Sequence, residues 1–325
     1  MRLLLGLLVS AGILVGLIRE ALHADELYPS RSITLVVPVP PGGAADFIAR
    51  LLGQKLSERL GQPVIISNRS GASGTIASDN VAKSAPDGYT LLLNSITTHG
   101  IGPHLYTSLP YDPVQDFAPI ALVANLPLIM TIYANHSMKS VAEVVGYAKV
   151  NPGKLSFASS GNGGAPHLAG ELFKIVNGLD MLHVPYRGSG PAVLDVAAGR
   201  VDIMFDAAPS LLGMIEGGKL RPLATASTER LAILPDLPTF AELGMKGMEI
   251  SLWYGVVAPA KTSSDIIQRL NAELQTILKM SDIQASFAKQ GAEAMFGSPQ
   301  DYAAFMQAES QRWGAIVREN KIKID

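Results

Sequence analysis

The sequence predicts an α/β fold on a largely parallel sheet, and three observations predict it. From residue 28 onward, short β-branched or aliphatic runs alternate with amphipathic helical stretches. Two strands, about 120 residues apart, each run into a glycine-rich turn and then straight into a helix. Once an apolar leader is set aside, roughly 300 residues remain, enough for two ordinary domains.

The leader comes first. Met1-Arg2 precedes the apolar run Leu3 to Ile18, which turns polar at Arg19-Glu20 before Ala21-Leu22-His23-Ala24. Charge, apolar run and a nearby alanine describe a signal peptide over residues 1–24 and predict export to the periplasm. Cleavage is expected after Ala24, although Leu22 is larger than the small residue usual at the third position before a cut. Losing Arg2, Arg19 and Glu20 takes the 26 basic and 28 acidic residues to 24 and 27, a net charge of −3. Such a balance gives no broad attraction for nucleic acid or anionic lipid. The chain contains no cysteine, which excludes disulfides and thiol catalysis.

Strands are expected at Ser32 to Val37, Pro63 to Ser67, Tyr89 to Asn94, Leu128 to Ala134, Lys154 to Ala158, Val201 to Phe205 and Leu223 to Ala226. Helices are expected at Asp46 to Leu60, Ser140 to Val150, His167 to Asn177, Pro191 to Ala198, Ser263 to Met280 and Pro299 to Asn320. In the first of these helices Phe47, Leu51, Leu52, Leu56 and Leu60 recur at helical spacing, the pattern of a face packed on a sheet.

The stretch "VPVPPGGAADFIAR" from Val37 carries the first candidate site. It lacks the Lys-Ser/Thr pair of a P-loop and the third glycine of a dinucleotide fingerprint. What remains is a short turn whose N–H groups lie at a helix N-terminus carrying roughly half a positive charge, suited to a small anion such as a carboxylate. A plain strand-to-helix connection, with Asp46 serving the first turn, is the other reading. The stretch "LSFASSGNGGAPHL" from Leu155 repeats the arrangement, and Pro166 suits a first helical turn. Two such turns could face each other across a cleft outside the strand ends. Chemistry of other kinds finds no support. His99 and His104 lie five apart and His167 and His183 sixteen apart, without metal-ligand spacing. Gly188-Ser189-Gly190 is the nearest approach to a nucleophile elbow and has the wrong glycine spacing. No catalytic residue, metal or cofactor is expected. Trp253 and Tyr254 fit either the pocket or the core.

The longest motifs are "YPSRSITLVVPVPPGGAADFIARLL", "ERLGQPVIISNRSGASGTIASDNVAKSAPDGYTLLL", "LPYDPVQDFAPI", "NPGKLSFASSGNGGAPHLAGELF", "HVPYRGSGPAVLDVAAGRVDIMFD" and "LPDLPTFAEL". In this order they resemble the extracytoplasmic receptors of tripartite tricarboxylate transporters, the Bug family. The resemblance implies a two-lobed periplasmic binding protein, a Venus flytrap, each lobe a largely parallel sheet flanked by helices. Residues 25–125 and 250–325 would form the first lobe and 126–249 the second. It implies that Pro41, Gly42, Gly43 and Ala44, with Ser159, Gly161, Asn162, Gly163, Gly164 and Ala165, hold one carboxylate of the ligand. The stretch Asn94 to His99, Ser95 and Thr97 above all, would add side-chain contacts, and Asp206 would lie at the cleft. Gly164 and Ala165 stand where relatives often carry hydroxyls. By the same resemblance the protein is a non-enzymatic, monomeric receptor that delivers a small organic acid to a large and a small integral membrane subunit. A ligand-sensing role, or an exported enzyme acting on a carboxylic acid, are the alternatives.

Overall fold

The computed structural model describes residues 28–322, so the leader lies outside the described residues. Among the described residues ten strands form one mixed, curled sheet. The order is β2 (Val64–Asn68), β1 (Ile33–Val37), β3 (Thr90–Ser95), β9 (Ser251–Pro259), β4 (Phe117–Tyr133), β7 (Ile203–Ala207), β5 (Ser156–Ser159) and β6 (Leu182–Pro185). Two further strands, β8 (Leu220–Thr225) and β10 (Glu293–Ala294), also pair with β4.

Pairing is parallel at both flanks, β2 with β1 with β3 and β6 with β5 with β7. It turns antiparallel in the middle, where β9 and β4 lie. Strand β1 reads ITLVV and is buried on both faces, as a helix-covered parallel strand must be. The 17-residue β4 joins the halves: Phe117 to Pro127 pair with β9, and Leu128 to Ile132 pair with β7. Its register shifts between Pro119 and Ala121 and again between Leu122 and Ala124, the kind of irregularity at which a strand tolerates a proline. Only its second half was expected as strand from the sequence. The first half contains Pro119, which breaks the pattern that marks a strand in the linear sequence.

Ten α-helices flank the sheet among the described residues: α1 (Ala44–Leu60), α2 (Thr75–Ala82), α3 (Gly102–Leu105), α4 (Val141–Val150), α5 (Ala165–Asn177), α6 (Ser189–Ala197), α7 (Ala208–Glu216), α8 (Ser264–Leu278), α9 (Ser281–Lys289) and α10 (Pro299–Glu319). Of these, α2, α3, α7 and α9 were not anticipated. Two close approaches show how helices seat on the sheet. A Cβ at Gly255 of β9 would lie 2.1 Å from the Tyr302 hydroxyl of α10, and one at Gly170 of α5 would lie 2.1 Å from Phe157 of β5. Either methyl would force the layers apart. The helix α10, from the C-terminal part of the chain, packs on the first sheet half, where Tyr302 donates to Asn94 Oδ1 at 2.6 Å.

A cleft floored by uncapped helix N-termini

The first four N–H groups of a helix have no partner within it, so each helix start is either capped or left to accept an anion. The described helices fall into three sets: capped and outside the cleft, uncapped and lining it, and α3, α7 and α9, which have no side-chain cap but whose N-cap residues Ile101, Ala207 and Met280 lie outside the cleft. Ser140, Ser263 and Ser298 cap α4, α8 and α10 through side-chain oxygens, and none of the three lies in the cleft. The N-caps of α1, α2, α5 and α6 are Gly43, Gly74, Gly164 and Gly188, with no side-chain cap on any of them. All four glycines line one cavity of about 990 Å³ between the sheet halves. Each helix brings roughly half a positive charge and a set of open donors to this space.

Nine of the thirteen residues expected at the site line the cavity: Pro41, Gly43, Ala44, Ser95, Thr97, Gly161, Asn162, Gly164 and Asp206. The other four, Gly42, Ser159, Gly163 and Ala165, do not, and their polar groups explain what three of them do instead. Gly42 N–H donates to Asp46 Oδ2 at 3.2 Å. Asp46 also accepts from Arg50 Nε at 2.9 Å and from Asn68 Nδ2 at 3.1 Å. Burial alone would raise its pKa, but these donors outweigh it and hold the carboxyl below its usual value. Asp46 therefore serves the turn, and Arg50 pairs with its charge. Gly163 N–H donates to His167 Nδ1 at 3.1 Å. The Ser159 hydroxyl lies 2.7 Å from His183 Nε2 and 3.0 Å from the Gly161 carbonyl oxygen.

The two histidines, sixteen residues apart in sequence, stack with ring centroids 3.9 Å apart behind this turn, with Phe157 beside them. Burial first, then nearby positive charge, pushes His167 to about 3 and His183 to about 4, so both rings are neutral at pH 7. His167 braces the turn by accepting the Gly163 N–H, and His183 by its hydrogen bond with the Ser159 hydroxyl. Among the described residues there is no cluster of three side chains able to hold a metal ion.

From the stretch Asn94 to His99, the residues Ser95, Thr97 and Thr98 line the cavity. Asn94 instead bonds Tyr302, and His99 is buried against Tyr111 and Phe117. Trp253 packs in the core with its Nε1 donating to Glu309 at 2.9 Å, whereas its neighbour Tyr254 lines the cavity. Alternation along β9 sends the two side chains to opposite faces. Only two lining residues carry charge. Arg187 is exposed and forms no ion pair among the described residues. Asp206 is buried; its Oδ1 accepts the Ala207 N–H at 2.7 Å, and the Ser189 and Ser210 hydroxyls lie near its carboxyl. Burial pushes this carboxyl up to about 6, and it in turn adds to the burial that raises the Tyr254 phenol.

Leu105 to Thr107 at the end of α3 line the cavity without being expected there, as do two glycine-rich segments, Ser70 to Gly74 before α2 and Tyr186 to Pro191 at the start of α6. The signal of these two segments was present, since SGASG and RGSGP have the same glycine-serine turn running into a helix.

Comparison with known proteins decides the family. The family described as "Tripartite tricarboxylate transporter family receptor" matches residues 48–322. The chain belongs to this receptor family. BugT of Bordetella pertussis is 39% identical over 300 residues, covering 92% of each chain. The Rhodopseudomonas palustris protein Rpa4515, solved with adipate, is 38% identical with a TM-score of 0.88, covering 91% of this chain and 99% of that one. MatC from the same organism, solved with bound malate, is 33% identical with a TM-score of 0.85, covering 89% and 100%. The family is one of receptors rather than enzymes, and the two-lobed fold of its solved neighbours, among them the periplasmic binding protein BugD at 33% identity and a TM-score of 0.86, is the fold of this chain. The receptor reading thus excludes the exported enzyme. Among the described residues no helix is long and apolar enough to cross a membrane.

Proposed function

We propose that this receptor is a monomer that captures a small organic acid in the periplasm, closes two lobes over it, and hands it to a membrane transporter built of a large and a small integral subunit. The observation that carries the reading is the set of four glycine-capped helix N-termini lining one cavity whose sole cationic side chain, Arg187, is exposed. A carboxylate placed there replaces lost hydration with charge-assisted hydrogen bonds worth about 1.5–3 kcal/mol each. Gly43 and Ala44 would supply donors from one lobe, and Gly161, Asn162 and Gly164 the polar groups of the other turn. Ser95, Thr97 and Asp206 would meet the rest of the ligand.

The lobes are taken as residues 25–125 with 250–325, and 126–249, so that β4 and the approach to β9 are the two crossings. Contacts from both lobes exist together only in the shut cleft, so the ligand shifts the population toward closure. The adipate and malate bound by the two relatives support an acid of this size. Native mass spectrometry of the protein taken from the periplasm tests the reading. An organic acid released unchanged on denaturation supports it, and a neutral sugar or an amine in its place refutes it. Capture of integral transporter subunits from membrane extracts, rather than a sensor protein, distinguishes delivery from signalling.

A further inference from the structure

The loop before α2 holds an outlier of backbone conformation. Four successive residues, Gly71, Ala72, Ser73 and Gly74, have positive φ, at 133°, 45°, 49° and 91°. The region suits glycine, yet two of the four carry side chains. A strained residue of this kind points to a role for its side chain. The Ser73 hydroxyl donates at 2.5 Å to the carbonyl oxygen of Asn162, in the glycine-rich turn after β5 on the other half of the sheet. The two loops touch closely enough that a Cβ at Gly161 would lie 3.8 Å from Ser73 Oγ. The peptide between Asn162 and Gly163 is therefore gripped at both ends, its carbonyl by Ser73 across the cleft and its N–H by His167 from behind.

We propose that Ser73 is a positioning residue that latches the cleft shut: its hydroxyl fixes the Asn162–Gly163 peptide from the opposite lobe, aligning the second turn beside the open α5 N-terminus at Gly164. The bond exists only when the two halves meet, so it favours the closed form whatever the ligand is. It rests on the two-lobed fold and not on the carboxylate reading.

The test uses ligand-free protein and the absence of native cysteines. One cysteine replaces exposed Ile76 on α2 and a second replaces exposed Leu194 on α6. Spin labels on the pair report the closed-to-open ratio by electron-electron distance measurement. Ser73→Gly removes the hydroxyl and relieves the backbone, so its thermal midpoint stays level or rises. Its closed-to-open ratio falls roughly fivefold, the effect of one neutral hydrogen bond. Ser73→Ala gives the same fall without the gain in stability. An unchanged ratio in a folded Ser73→Gly protein, or no closed form in the unsubstituted protein, overturns the proposal.

Discussion

Gly43 and Gly163 look alike in the sequence, each a glycine in a strand-to-helix turn, but they answer different physical demands. Gly43 sits at φ −109°, ψ −175°, extended backbone open to any residue, and an added Cβ meets nothing within 4 Å. Its lack of a side chain leaves cavity space free. Gly163 has φ +74° and an N–H spent on His167. Gly43→Val is therefore expected to stay within about 0.5 kcal/mol of the parent in stability. It should weaken binding of an organic acid at least tenfold, the loss of about one charge-assisted bond. Gly164→Val, at φ −80° with neighbours no nearer than 3.6 Å, does the same from the other turn. Calorimetry beside thermal melts checks both variants. Gly163→Val, by contrast, disrupts the turn itself and lowers stability. Asp206 supplies a second residue-scale expectation. Its pKa is raised from about 3.8 to about 6, so the folded protein holds this proton more tightly than the unfolded chain. Its cost to stability is absent below pH 4, grows to pH 6 and is constant above. Asp206→Asn removes that slope, and at pH 7 it should be no less stable than the parent in denaturant titrations.

At the scale of elements, most strands and the longer helices were legible because each announces itself locally. The strand β1 is an unbroken apolar run, and α8 follows Ser263 with apolar residues at helical spacing. The helices α2 and α7 were not legible, being short and begun by glycine or alanine without a polar cap. The N-cap Gly74 of α2 lines the cleft, whereas the N-cap Ala207 of the equally uncapped α7 does not, so the missing cap alone did not reveal the site. The assignment of donors was also illegible: that Gly42 serves Asp46 and Gly163 serves His167 depends on which side chain folds back, not on spacing. Nor could the sequence bring His167 onto His183, which needs α5 laid against β6. That brace titrates, and so does His99, buried in the other half of the sheet. His99, His167 and His183 are all depressed by burial, to about 3, 3 and 4, so they are neutral in the folded protein and charge on unfolding below pH 6.5. Stability from this source is whole above pH 6.5 and is lost as pH falls toward 4. Melting temperature should drop across that window, and His183→Gln should remove about a third of the drop, one of three such groups.

For the whole molecule, the two parallel flanks of the sheet are joined by the antiparallel strands β4 and β9, with the cleft at the strand ends between them. A ligand that binds only the closed, folded form stabilises it by about 2.7 kcal/mol at 100 times its dissociation constant. That corresponds to a rise in melting midpoint on the order of 5 °C for a chain of this size, which a screen of organic acids would show. The central claim is that helix N-termini, with no basic clamp, hold the carboxylate. Its most direct measurement is calorimetric titration of one protein with a series of C4 to C6 dicarboxylates, malate and adipate among them, and with the primary amide made from each carboxylate in turn. At least one acid is expected to bind with one-to-one stoichiometry, converting one particular carboxylate to its amide to weaken binding at least tenfold, and Gly43→Val to abolish the difference between acid and amide. Equal binding of acid and amide, or full-strength binding of the acid by a folded Gly43→Val protein, would contradict the central claim.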